Sequence, residues 1–396
     1  MKMKKFFKIL SYIVIICLLL VVITKIAFSN SEKSGIKYGY VDKTGKMVIK
    51  PQFDKAGDFH EGLAYACNSK CGYINKIGKF VISPQFDTAE NFSEGLAALE
   101  INKKWGYIDK TGKFVIKPVF NYGYEFKEGL AYVNSLSVTT IKNEYINKAG
   151  KIIIKESNYK ITPSIFIDNM SLIEINNKYG FINRTGKIII PAVFDNTKLF
   201  NEGLAPVKQD NKYGSTLNIK IKNPNDKIVL VKQNNKWISI DKTVLSRQNS
   251  KWGFIDKNGN YVIEPRFETV DNFNEGLAPV KTNGEYGIAK WGFINKGGYP
   301  VIDPEFEDAG KFNEGLAPVM LNNKVGFINK KGEIVIKPQF GKRRFPNDCL
   351  FHEGMARVNI NDKIGFVNKQ GILIVKPVYI DVEDFSEGLA KVGVRK

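Results

Sequence analysis

The chain has 396 residues, 43% hydrophobic and 12% aromatic, with 59 Lys and Arg against 40 Asp and Glu and a formal net charge of +19. Its two histidines are too few for a His-based metal site or a Ser-His triad with independent partners. Only seven of its basic residues are arginine, which speaks against nucleic-acid reading, where Arg supplies bidentate contacts.

The N-terminus stands apart. Lys2, Lys4, Lys5 and Lys8 precede an apolar run from Ile9, which with its extension to Phe28 is 20 residues long, enough to span a bilayer as a helix. Four leading lysines put residues 1–8 in the cytoplasm and everything after 28 outside. Two readings stay open: an uncleaved transmembrane signal anchor over 9–28, or a signal peptide cleaved near Ala27-Phe28-Ser29. Cys17 does not make a lipoprotein site, since Ile16 before it is not small. Both open readings export the rest of the chain, single-pass at the cell membrane in one and secreted in the other.

After a linker at 29–35, residues 36–396 are repetitive. An E-G-L-A signature recurs at Glu61, Glu94, Glu128, Glu202, Glu275, Glu314, Glu353 and Glu387, with gaps between its glycines of 33, 34, 74, 73, 39, 39 and 34. The two long gaps are near two periods, so each is expected to hide a degenerate unit: one at 143–175, with D-N-M-S-L-I-E-I in place of the signature, and one at 215–250. A second signature, W-G or a stand-in, occurs at Tyr38-Gly39, Cys71-Gly72, Trp105-Gly106, Tyr179-Gly180, Tyr213-Gly214, Trp252-Gly253, Trp291-Gly292, Val325-Gly326 and Ile364-Gly365. About ten units result.

E-G-L-A, K-W-G-[YF]-I-[DN]-K-x-G-K and V-I-x-P-x-F recur in fixed order over about nine tenths of the chain. In this the chain resembles the WG-repeat (KWG repeat) bacterial protein family. The resemblance implies an all-β repeat region and assigns no biochemical role.

Within a unit, Gly95–Ile101, Trp105–Asp109 and Phe114–Ile116 read as successive strands. An Asx residue followed three positions later by Gly, as in Asp109-Gly112, supplies a tight hairpin between the last two. A Gly in mid-strand marks a bulge or a close backbone approach. Pro118 and its equivalents interrupt ladder pairing, and a connector of constant length then runs to the next signature Glu, as expected of a packed corner. The fold class predicted is all-β: repeats of about 34–39 residues, each a three-stranded antiparallel meander, stacked as an open superhelical, solenoid-like array behind one hydrophobic helix. A propeller-like ring is the alternative; such rings typically use four-stranded blades, 4–8 of them.

Chemistry must be singular, whereas a residue present in every unit belongs to the unit. The signature glutamates are therefore corner residues accepting local backbone N–H bonds, not a hydrolase pair. His60 and His352 share a slot with Ser93, Lys127 and Asn201, so the slot reads as exposed and polar. Tryptophan shares its slot with Tyr, Cys, Val and Ile, so it reads as buried filler. Cys67 and Cys71 span a hairpin in an exported compartment, a possible disulfide, and Cys349 is left over. The singular places are 215–250 and the insertion at 341–351, whose Lys342, Arg343, Arg344 and Phe345 form a speculative binding loop. No catalytic, metal or cofactor site is expected. The functional expectation is a non-enzymatic, envelope-tethered scaffold, bound to the membrane through its N-terminal helix and presenting a surface to an envelope protein or glycan. A passive spacer, or charge-driven adhesion to anionic envelope polymers, is the alternative.

Overall fold

The computed structural model describes residues 35–137, 140–210, 219–220, 228–233, 236–241, 250–283, 289–341 and 346–395. The expected helix at 9–28, the linker up to residue 34 and Lys342–Phe345 lie outside the described residues.

The signature E-G forms a two-residue turn. His60 N donates to Leu63 O at 2.9 Å and Leu63 N to His60 O at 3.2 Å, with Glu61 at φ 54 and Gly62 at φ 89. Both central residues are left-handed, the conformation whose twist suits a tight antiparallel hairpin. At the other hairpin Asp109 N donates to Lys113 O at 3.0 Å, Asp109 Oδ1 accepts from Thr111 N at 2.9 Å and Lys113 N at 3.1 Å, and Gly112 takes φ 87. Beyond that turn Ile116 faces Tyr107 but Phe120 faces Trp105. The last strand thus advances four residues against two, and Pro118 sits in the resulting bulge. This bulge explains the glycine of W-G: a Cβ on Gly106 would lie 2.7 Å from Ile116 O, and one on Gly39 only 2.3 Å from Ile49 O.

Each of nine successive sheets has four strands, not three. The constant connector contributes a short first strand that pairs with the next signature strand, as Lys55–Ala56 does with Ala64–Cys67. We call the strands a to d in order. Sheet 2 continues through Cys71–Ile74 and Phe80–Phe86. Sheet 3 is Thr88–Ser93, Leu96–Ile101, Lys104–Ile108 and Phe114–Phe120. Sheet 4 is Tyr122–Gly123, Leu130–Ser137, Thr140–Asn147 and Ile152–Lys155. Sheet 5 is Lys160–Ile161, Met170–Ile175, Lys178–Asn183 and Ile188–Phe194. Sheet 6 is Asn196–Thr197, Ala205–Asp210, Ser250–Ile255 and Tyr261–Phe267. Sheet 7 is Thr269–Val270, Leu277–Asn283, Ala289–Asn295 and Pro300–Phe306. Sheet 8 is Asp308–Ala309, Leu316–Leu321, Lys324–Asn329 and Ile334–Gly341. Sheet 9 is Phe351–His352, Met355–Ile360, Lys363–Asn368 and Leu373–Tyr379, linked to sheet 8 by the pair Gly341 and Asn359.

Sheet 1 holds both ends of the described chain. Strands a and b are Asp381–Val382 and Leu389–Arg395, and strands c and d are Ile36–Asp42 and Met47–Phe53. Seven consecutive pairs, from Ile36 with Arg395 to Asp42 with Leu389, join them. This seam overturns the open array. The sheets form a closed, propeller-like ring of nine, in which the last strand pairs with the first. Strand Ala205–Asp210 pairs directly with Ser250–Ile255, so the ring sheets number nine; the described residues of the degenerate unit expected at 215–250 form a separate three-stranded sheet of Ile219–Lys220, Ile228–Gln233 and Lys236–Asp241.

Strands c and d of one sheet lie over a and b of the next, so each interface has its own core. Between sheets 2 and 3, Tyr73, Ile82 and Phe86 pack on Phe92, Ala97 and Leu99. The aromatic on each strand c meets the Phe of the next sheet's a segment. These pairs run from Tyr40 with Phe59 at 4.9 Å to Phe366 with Phe385 at 4.8 Å between centroids. Such a pair adds about 0.5–1.5 kcal/mol beyond the area it buries. Trp105 and Trp252 are buried as filler.

Candidate functional site: two unlike rims and an inner edge

Strands b and d run from one rim of the ring to the other, and a and c run back. The E-G turns and the Asx-x-x-Gly turns therefore share one rim. On it the signature carboxylate of each sheet reaches across to its neighbour. Glu61 accepts from Gly95 N at 3.0 Å, Glu94 from Gly129 N at 2.9 Å and Glu128 from Asn169 N at 2.9 Å. The series continues through Gly203 on Asp168, Gly276 on Glu202, Gly315 on Glu275, Gly354 on Glu314 and Gly388 on Glu353. Gly62 N donates to Glu387 at 2.9 Å and completes the circle. These glutamates thus do not bond locally, as expected from sequence; they staple one sheet to the next.

Asp168-Asn169 shows that the unit at 143–175 is intact. Both residues take the left-handed turn conformation, at φ 57 and 63, and Asp168 keeps the carboxylate. A hairpin lysine of the following sheet adds charge, as in Lys110 with Glu61 at 3.0 Å, Lys257 with Asp168 at 3.5 Å and Lys43 with Glu353 at 2.9 Å. Burial opposes ionisation of Glu61, but the Lys110 ammonium and the Gly95 N–H outweigh it and hold the carboxyl below its ordinary range. The polar slot before the turn is a staple as well: Ser93 Oγ donates to Phe126 O at 2.7 Å and Asn201 Nδ2 to Phe273 O at 2.7 Å. His60 is exposed there, and His352 Nε2 lies 3.4 Å from Asp384 Oδ2.

The opposite rim carries the irregularity. Its b–c hairpins include the tight Asn102-Lys103 turn, and the chain leaves strand b of sheet 6 here at Asp210 and re-enters strand c at Ser250. The chain preceding Ile36 joins the ring here, strand b of sheet 1 ends here at Arg395, and 342–345 starts from Gly341 on this side. Cys67 and Cys71 close the hairpin of sheet 2 on the same rim as a directly opposed pair, Cα atoms 4.0 Å apart, with their sulfurs bonded. Cys349 is buried against Phe351 and Ile336. A d–a corner carboxylate accompanies many hairpin lysines, as Asp54 does Lys37 at 2.7 Å.

Neighbouring a segments touch directly. Lys198 Nζ lies 2.7 Å from Asp271 Oδ1, and Asn272 Nδ2 donates to Leu199 O at 2.8 Å. These contacts place strand a at the inner edge of the ring. At the seam this edge gathers Asp58, Glu383 and Asp384 with Arg357 and Lys391. Arg357 Nε is 2.7 Å from Asp384 Oδ1, and Lys391 Nζ is 3.7 Å from Glu383 Oε1. Burial pushes the Asp58 carboxyl up to about 6 against the pull of the Lys391 ammonium, and Asp58 Oδ1 is buried without a hydrogen-bond partner. Burial and then Glu125 raise Glu90, which with Asn91, Tyr122, Gly123, Tyr124 and Glu125 lines a recess of about 270 Å³. Sequence reading missed these carboxylates, because they sit in the connector at positions whose residue type changes from unit to unit, as Asp58, Asn91, Glu125 and Leu199 do before the recurrent Phe. No group of three His, Cys, Asp or Glu among the described residues is placed to hold a metal, and no helix among them is long and apolar enough to cross a membrane.

The WG containing repeat family matches residues 38–69, 72–105, 105–135, 179–213, 252–286, 291–324, 326–363 and 364–395, more than half the chain. The chain belongs to this WG-repeat family. Those WG-repeat matches run mostly from strand c of one sheet to strand b of the next and skip 136–178, which holds strands c and d of sheet 4 and a and b of sheet 5, with Asn143-Glu144 in the W-G slot. No curated protein matches. Among solved structures, the WG-repeat chain is similar to the tricorn protease at 11% identity and a TM-score of 0.35, covering 78% of this chain and 36% of that one. It is similar to Kluyveromyces lactis Hsv2 at 10% identity and a TM-score of 0.31, covering 73% and 91%. It is also similar to Porphyromonas gingivalis dipeptidyl peptidase 4 at 8% identity and a TM-score of 0.42, covering 72% and 52%. Likeness at these values carries no argument about this chain.

Proposed function

We propose that this protein is a non-enzymatic scaffold, tethered to the cell envelope by residues 9–28, that presents the irregular rim of its ring to an envelope protein or glycan. The observation that carries this reading is the division of labour between the rims. One is consumed by repeated sheet-to-sheet staples. The other collects the departures from the repeat, and loops that depart from a rigid frame are where recognition tends to lie. With the tether joining at that same rim, partners at the membrane surface come within reach.

The test is saturable binding of the purified full chain to isolated envelope glycan and to membrane-protein fractions. Charge reversal at Lys103 and Lys104, exposed on the irregular rim, should weaken it, while Lys110→Gln on the stapled rim should not. Equal effects from both would sink the rim assignment. Binding that vanishes in high salt, irrespective of which rim is altered, would favour charge-driven adhesion instead. Retention of the intact N-terminus in the membrane fraction tests the tether separately.

A further inference from the structure

The residue that opens strand d usually covers the last aromatic of the preceding sheet's strand d. Phe80 packs on Phe53 with centroids 6.0 Å apart and planes at 81°. Phe114 on Phe86 and Tyr261 on Phe194 repeat the edge-on contact at 6.3 and 6.5 Å. In sheet 7 the same position is Pro300, which is exposed and too small to reproduce the contact. A cleft of about 360 Å³ opens there, bounded by Phe267, Phe293, Pro300, Ile302 and Pro304. That volume lies at the low end of the ~300–1,000 Å³ range of ligand pockets.

Two charged residues line the cleft, Arg266 and Asp303. The Arg266 guanidinium sits 5.0 Å from the centroid of the Phe267 ring, and its Nη2 donates to Gly298 O. No other ring sheet has a cation before the last aromatic of this strand: the equivalents are Gln52, Gln85, Val119, Asn158, Val193, Glu305, Gln339 and Val378. A planar guanidinium held over an aromatic face keeps donors free for a carboxylate. A carboxylate at Arg266 and an N–H donor at Asp303, with an aromatic ring between them, match the C-terminal aromatic residue of a polypeptide.

We propose that this cleft binds the C-terminal aromatic residue of a partner polypeptide. The incoming ring supplies the edge-on partner that Phe267 lacks, its terminal carboxylate pairs with Arg266, and the preceding amide N–H faces Asp303. The site lies between the d strands of sheets 6 and 7 and is independent of the rim reading, so neither stands or falls with the other.

The probe is a fluorescein-labelled Gly-Gly-Gly-Gly-Phe peptide with a free carboxylate, titrated by anisotropy against the full chain in detergent. Saturable binding is expected, weakened about tenfold or more by Pro300→Phe, by Arg266→Gln and by amidation of the peptide. Arg266→Gln and amidation should not add, since they remove one interaction. Pro300→Phe rebuilds the contact of sheets 2 and 3, and its melting temperature should match or exceed the parent's. Should that variant fold poorly, Pro300→Ile tests the same point, because Ile188 and Ile334 occupy the position elsewhere. Absence of saturable binding overturns the proposal. So does undiminished binding by the filled variant, by the amide or by a peptide ending in Ala, or binding of 3-phenylpropionate in preference to the peptide.

Discussion

Asp58→Asn should stabilise the ring at neutral pH and do nothing in acid. Asp58 is desolvated at the seam; Lys391 and His60 more than cancel the repulsion from Glu383 and Asp384 but not the desolvation, so its folded-state pKa rises from the ordinary 3.8 to about 6. Between those values the folded protein holds a proton that the unfolded chain has released. Stability therefore falls as pH rises through this window and is flat above it. The difference of about two pH units, at about 1.4 kcal/mol each, makes the ionised carboxylate cost about 3 kcal/mol above the window. An amide of the same shape removes that cost, less whatever its NH₂ loses by finding no acceptor. Urea unfolding of parent and variant should show a gain of about 2–3 kcal/mol near pH 8 that shrinks toward zero near pH 4. Comparing the two proteins cancels carboxylates such as Glu61 and Glu353, which are held low and whose stabilisation is lost as pH falls. A gain independent of pH, or a loss near pH 8, would refute the reasoning.

Asp168→Ala removes the acceptor of Gly203 N–H and the partner of Lys257; it should cost about 1–2 kcal/mol in urea unfolding, while Asp168→Glu should be nearly neutral. Gly253→Ala forces a Cβ to 2.5 Å from Ile263 O, a backbone atom that cannot step aside, so its unfolding midpoint should drop by the equivalent of about 1–3 kcal/mol or more. Deleting residues 1–53 removes strands c and d of sheet 1. The remaining chain should show a larger radius of gyration by small-angle scattering and faster proteolysis than the parent.

Much of the local structure was legible. The Asp109-Gly112 turn, the glycine of W-G and the buried Trp105 follow from chemistry that acts over a few residues. Closure was not, because it depends on the sum of many small inter-sheet rotations, and no residue records that sum. The role of Glu61 was hidden for a related reason. Its partner, Gly95, lies one full unit away, and a glutamate at positive φ contradicts local preference until the neighbouring sheet is in place. The connector concealed strand a because two residues, Lys55 and Ala56, are too few for any periodicity. The same shortness made three strands look complete. Asp168 was legible as the stand-in for the signature, but its staple to Gly203 was not, because the motif reads E-G, whereas the staple needs only a carboxylate on a left-handed turn.

The seam between Ile36–Asp42 and Leu389–Arg395 sets a timetable for the newborn chain. At about 5–20 residues per second, the earliest hairpin waits on the order of half a minute for its partner to be made. Throughout that interval Tyr40 and Val41, fully buried in the finished ring, have no sheet to complete them. Any nascent copy alongside carries the same unmet edge, so crowded ribosomes on one message invite exchange of the first hairpin between chains, and slower initiation is the simplest protection.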